Sequence, residues 1–112
     1  DSVKRSLSTA TINGKSYARI LFIIGLENEN YEENLKVTET IFNMLEESYP
    51  GITRSIYKKQ GKGVNGVYNQ DFDKNVILVE MGGEENTLDE VLNSTLALSD
   101  VLTRYIKGDE KE

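Results

Sequence analysis

Two short runs of the chain carry almost no polar interruption: residues 19–25 (RILFIIG) and residues 75–81 (NVILVEM). Both are short for a buried helix and rich in β-branched side chains, which predicts strands inside a sheet. Their apolarity is continuous rather than alternating, so the expectation is a sheet covered on both faces, as in parallel sheets flanked by helices. Each run is followed by apolar positions at helical spacing. The first helix is predicted to open at Asn30, with Glu33 three residues on, and to run to about Tyr49, where Pro50 and Gly51 stop it. Its expected inner face is Leu35, Thr38, Ile41, Phe42, Leu45 and Tyr49. The second opens at Thr87 with Glu90 as capping-box partner and runs to about Lys107, with Gly108 ending it before the charged tail at 108–112. Here the expected face is Leu88, Val91, Leu92, Thr95, Leu98, Leu102, Tyr105 and Ile106.

Between the helices, residues 52–59 (ITRSIYKK) alternate and predict a more exposed strand, residues 60–66 a loop, and residues 67–72 the approach to the second buried strand. The polar opening, residues 1–16, holds an extended stretch at 11–13 before a turn at Asn13 and Gly14. Neither an internal repeat nor a linker is visible. Strand, helix, strand, helix reads as an α/β fold with a mostly parallel sheet flanked by helices. In such sheets functional groups gather beyond the carboxyl ends of the strands, where Glu80 and residues 82–86 are expected.

Composition narrows the function. A chain of 112 residues is one domain at most and buries roughly two thirds of its unfolded surface. A net charge of -6 argues against a nucleic-acid partner, because phosphate contact needs clustered Lys and Arg. Neither Cys nor His occurs, which removes disulfides, thiolate nucleophiles, the commonest general base and the commonest zinc ligand. Any hydrolytic mechanism must then use carboxylates or borrow imidazoles from another segment. No run approaches the roughly 20 apolar residues of a membrane span.

Most motif matches fail on context. Gly61, Gly63 and Gly66 spell GxGxxG, but the dinucleotide fingerprint needs a helix starting at the glycines, and here another strand is expected after them. Gly14, Lys15 and Ser16 echo a P-loop ending, yet Thr9 stands where its first glycine belongs. Asn93, Ser94 and Thr95 form a glycosylation sequon inside the second helix. The acidic pairs Glu32 and Glu33, Glu46 and Glu47, and Glu84 and Glu85 read as solvated helix and loop charges, without cation-loop spacing. Glu80 differs because it ends an apolar run, where a carboxylate serves either an ion pair, with Lys74 or Arg54 as partner, or chemistry. The glycines after it allow a sharp turn and leave room above the strand end, and the helix opening at Asn86 and Thr87 aims its amides at the same space.

The run YNQDFDKNVILVEMGGEENTLDEVLNSTLALSDVL resembles the end of the catalytic domain of the stage II sporulation protein P family, peptidoglycan hydrolases of endospore-forming bacteria. INGKSYARILFIIGLENENYEENLKVTETI and YPGITRSIYKKQGKGVNGVYNQD resemble the preceding segment, so the likeness spans nearly the whole chain. The resemblance implies an amidase-like domain with zinc exopeptidase-like architecture, of which residues 1–112 are the C-terminal part. It implies cleavage of the amide between N-acetylmuramic acid and L-alanine, and of cross-link peptides, during spore engulfment. Zinc would be held by two His and a Glu from earlier segments, and Glu80 would be the general base. Asn69, Gln70, Gly82, Gly83 and Asn86 would line the substrate groove. The implied partners are peptidoglycan, a second sporulation wall hydrolase and membrane engulfment proteins. The implied location is the extracytoplasmic face of the membrane at the sporulation septum, through an upstream anchor.

One departure matters. In the family a ligand His followed by Arg lies just before the segment that Asp1, Ser2 and Val3 continue, as in an HRDS-like run, and this chain starts after that His and Arg. The expectation is a piece of an enzyme that holds no zinc and is inactive alone, and whose uncovered edges favour self-association. The alternative is a non-catalytic α/β module that binds wall glycan or a protein partner through the same groove.

Overall fold

The computed structural model describes residues 4–27, 29–59 and 77–108. Along them the chain forms α1 (Arg5–Ser8), β1 (Thr9–Ile12), β2 (Lys15–Ala18), β3 (Ile20–Gly25), α2 (Tyr31–Ser48), β4 (Thr53–Lys59), β5 (Leu78–Met81) and α3 (Leu88–Lys107). β1 and β2 make an antiparallel hairpin whose turn residues, Asn13 and Gly14, both have positive φ, as a two-residue hairpin loop requires. The other strands form a separate sheet in the order β4-β3-β5. The expected loop at 60–66, the approach at 67–72 and the last residues of the tail lie outside the described residues, as do Asn69, Gln70 and Lys74.

The sheet corrects the parallel expectation. β3 and β4 are parallel, but β5 runs antiparallel to β3, with Leu21 opposite Glu80 and Phe22 opposite Val79. Continuous apolarity reports burial, not strand direction. It was also accurate for one strand only: every residue of β3 is buried, whereas β5 is half-buried with Glu80 exposed. Glu80 therefore lies beside the start of β3, at the edge opposite the carboxyl ends of the parallel pair.

Side chains alternate across a strand, which assigns the faces. Ile20 and Phe22 belong to the buried core with Ile41, Met44 and Leu45 of α2 and Ala97, Leu98 and Val101 of α3, and Val79 and Met81 pack against it. Leu21 and Glu80 project from the opposite face. Full burial of a residue such as Leu45 contributes about 1.5–3 kcal/mol.

The helices form where their caps and periodicity predict, with differences of detail. Asn30 caps α2 without a side-chain hydrogen bond, so the expected Asn30–Glu33 box is not formed. The Thr87–Glu90 box at the start of α3 is complete, and Gly108 ends that helix in the left-handed region at φ 84°. The inner face of α3 is turned from the expected one. Its buried residues are Glu90, Ser94, Ala97, Leu98 and Val101, while Leu88, Leu92, Thr95 and Ile106 are exposed. Small residues face inward because α3 approaches β2 closely: Ser94 Oγ donates to Ala18 O and Asn93 Nδ2 to Ser16 O at 2.9 Å. Asn93 and Ser94 of the sequon are thus part of this packing, while Thr95 is exposed.

Glu46 is not a merely solvated charge. It accepts hydrogen bonds from the amides of Gly51 at 3.0 Å and Thr53 at 2.9 Å, and from the Thr53 hydroxyl, clasping the end of α2 to the start of β4. Burial opposes its ionisation, but these bonds and nearby Arg19 outweigh that and hold its pKa below the ordinary value.

Candidate active site

β5 delivers Glu80 one residue before its end, and the ladder to β3 continues past the strand, Gly82 N–H donating to Arg19 O at 2.8 Å. The Glu80 carboxylate is exposed and, among the described residues, makes no hydrogen bond or ion pair. Arg54 is not its partner, since β4 lies on the far side of β3. Instead Glu80 lines an open cleft of about 390 Å³ with Met81, Gly82, Gly83 and Glu84.

The turn that shapes this cleft requires glycine. Gly82 has φ +70°, and a β-carbon there would lie 2.3 Å from Asn86 Oδ1 and 2.9 Å from Ala18 Cβ. Gly83 N–H donates to Asn86 Oδ1 at 2.7 Å, and Asn86 N–H returns a bond to Gly83 O at 3.1 Å. Asn86 Nδ2 donates to Thr9 Oγ1 at 2.7 Å and to Glu90 Oε1 at 3.0 Å. The side-chain amide of Asn86 is thus engaged on both ends inside the protein.

Glu90, only 4 % exposed, is the centre of this polar cluster. It pairs with Arg5, whose Nη1 lies 2.8 Å from Oε1, and it accepts from Ser16 Oγ at 2.7 Å and Thr87 N at 3.0 Å. The Arg5 guanidinium acts first, then the Thr87 amide, Asn86 and Ser16; together they overcome burial and hold the carboxyl well below the usual range. Arg5 also donates its amide to Glu85 Oε1 at 2.9 Å and Nη1 to Glu85 O at 3.2 Å. The α3 amides expected to face the cleft are partly spent in this scheme, because Glu90 N is taken by Thr87 Oγ1 at 3.1 Å.

Of the residues the sequence singles out, Glu80, Gly82, Gly83 and Asn86 are brought together, and Asn69 and Gln70 lie outside the described residues. Arg5, Thr9, Ser16 and the second role of Glu90 escape sequence reasoning. The one available signal was that Glu90 falls in register with Ser94, Ala97 and Val101. Among the described residues no group of three His, Cys, Asp or Glu could hold a metal ion, so the donor set does not fit a zinc centre. No described helix is long and apolar enough to cross a membrane.

Residues 1–103 match the family described as Stage II sporulation protein P (SpoIIP). The chain is 40 % identical over 111 residues to Stage II sporulation protein P of Bacillus subtilis (strain 168), which covers 99 % of this chain and 28 % of that relative. The chain therefore spans little more than a quarter of the relative's length. No solved structure matches. The extent of the family match and the identity to this relative place the chain in the stage II sporulation protein P family.

Proposed function

We propose that this chain is the part of a sporulation peptidoglycan amidase that supplies the general base, Glu80. The observation that supports this reading is an ionisable carboxylate at a strand end, unpaired among the described residues, opening on a cleft walled by a glycine turn. A carboxylate locked in an ion pair would be stabilised as a spectator; this one is accessible to water and substrate.

In the proposed reaction Glu80 accepts a proton from the water that attacks the carbonyl between the muramic acid lactyl group and L-alanine. It then returns that proton to the alanine nitrogen as the C–N bond breaks, leaving a carboxylic acid on the glycan and a free amine on the stem peptide. A base so placed contributes about 10²- to 10⁴-fold. The zinc implied by the family resemblance requires ligands from another segment of a longer protein, since the chain has no His or Cys.

The substrate is proposed to run past Gly82 and Gly83, with Asn69 and Gln70 contributing amide groups, while Asn86, whose side-chain amide is spent on Gly83, Thr9 and Glu90, stands behind the turn. Zinc exopeptidase-like architecture of the whole domain, cleavage of cross-link peptides, action beside a second wall hydrolase and engulfment proteins, and an anchored position on the extracytoplasmic face of the septal membrane belong to the same proposal. Self-association of the isolated chain is expected from the exposed row Leu88, Leu92 and Leu96, and light scattering reads it out.

Mass spectrometry of the material released from purified peptidoglycan by the full-length protein tests the reaction. Stem peptides with a free L-alanine amine and intact glycan are expected. Cut glycan strands, or binding with no release, would refute it.

A further inference from the structure

We propose that Asn86 is a positioning residue for Glu80, acting through the Gly82–Gly83 turn, with Glu90 and Thr9 holding its amide in the orientation this needs; the proposal rests on Glu80 being the base. The geometry leaves Asn86 little to offer a ligand. Oδ1 takes the Gly83 amide at 2.7 Å, and both Nδ2 protons are used, on Thr9 Oγ1 at 2.7 Å and Glu90 Oε1 at 3.0 Å.

Amide orientation follows from those partners. Rotating the group by half a turn would set Nδ2 against the Gly83 N–H and Oδ1 against the Glu90 carboxylate, two repulsions in place of two bonds. While ionised, Glu90 accepts through both oxygens and donates through neither, and Arg5 and Ser16 keep it so. The chain of contacts therefore runs from Arg5 and Ser16 through Glu90 to Asn86, and from Asn86 to the glycines.

The glycines transmit this to the cleft. Asn86 Oδ1 occupies the space a Gly82 β-carbon would need, so the φ of +70° at Gly82 and the seat of Asn86 are one packing arrangement. Gly82 and Gly83 wall the same cleft as Glu80. If Asn86 lets go, the turn relaxes across the face where water and the scissile amide must meet the carboxylate. The loss then falls on the chemical step rather than on ground-state binding.

The test uses the full-length protein and peptidoglycan release kinetics, with hydrogen exchange over residues 80–90. Asn86→Asp keeps the acceptor for Gly83 N–H, removes both donors and sets two carboxylates together. It should lower kcat about 10- to 100-fold with KM little changed, and speed exchange of the Gly83 amide. Adding Glu90→Gln should restore part of both, because the new amide at 90 can donate to the new carboxylate at 86. An unchanged kcat, a change confined to KM, or no recovery in the double variant would overturn the proposal. Glu80→Gln, measured alongside, separates the two ideas. If it turns over normally, the base assignment itself fails; if it is inactive while Asn86→Asp is normal, only the positioning role fails.

Discussion

Glu90 and Arg5 stand 85 positions apart in the sequence and meet as an ion pair that ties α1 to the first turn of α3. The same carboxylate takes Ser16, Asn86 and Thr87, so its ionisation supports a junction of hairpin, turn and helix. Because its folded pKa lies below the ordinary 4.5, its stabilisation is complete above that value and is lost as pH falls through the lower folded one. Glu90→Gln should lower the unfolding free energy at neutral pH by about 1–3 kcal/mol and flatten the acid limb below about pH 4.5. Denaturant unfolding of both proteins across a pH series checks this. Parallel acid limbs would contradict it.

Gly82→Ala should cost about 1–3 kcal/mol from the left-handed backbone alone, with further loss as Asn86 is displaced. Gly14→Ala is the comparison, since its φ of +78° is equally strained but nothing lies within 4 Å of the added carbon. The expected order of unfolding midpoints is native, then Gly14→Ala, then Gly82→Ala.

What the sequence made legible was local. Capping at Thr87 and Glu90, the stop at Gly108, the Asn13–Gly14 turn and the fully buried β3 depend on neighbouring residues, and all are present. The direction of β5 was not legible, because apolar residues bury equally well in parallel and antiparallel ladders. The phase of α3 was not legible, because its leucines dominate the hydrophobic pattern while Ser94 and Ala97 face inward where the backbones come close. In the candidate site, Glu80 showed itself as a charge ending an apolar run. Its surroundings did not, since Arg5, Thr9 and Ser16 reach the turn only through the tertiary fold.

That phase makes its own prediction. Ala97→Leu inserts volume into a site 2 % exposed and should destabilise by about 1–3 kcal/mol. Leu96→Lys, one position away and 67 % exposed in the native chain, should stay within about 0.5 kcal/mol. Equal effects in denaturant unfolding would mean that α3 packs by a different face.

The most direct test of the account is Glu80→Gln in the full-length protein, assayed for stem-peptide release from purified peptidoglycan with bound zinc measured on the same sample. The side chain keeps its size and loses its capacity to take a proton. The prediction is a fall in turnover of about 10²- to 10⁴-fold at unchanged metal content and unchanged melting temperature. Turnover within a few-fold of the native protein would contradict the assignment of Glu80 as the base.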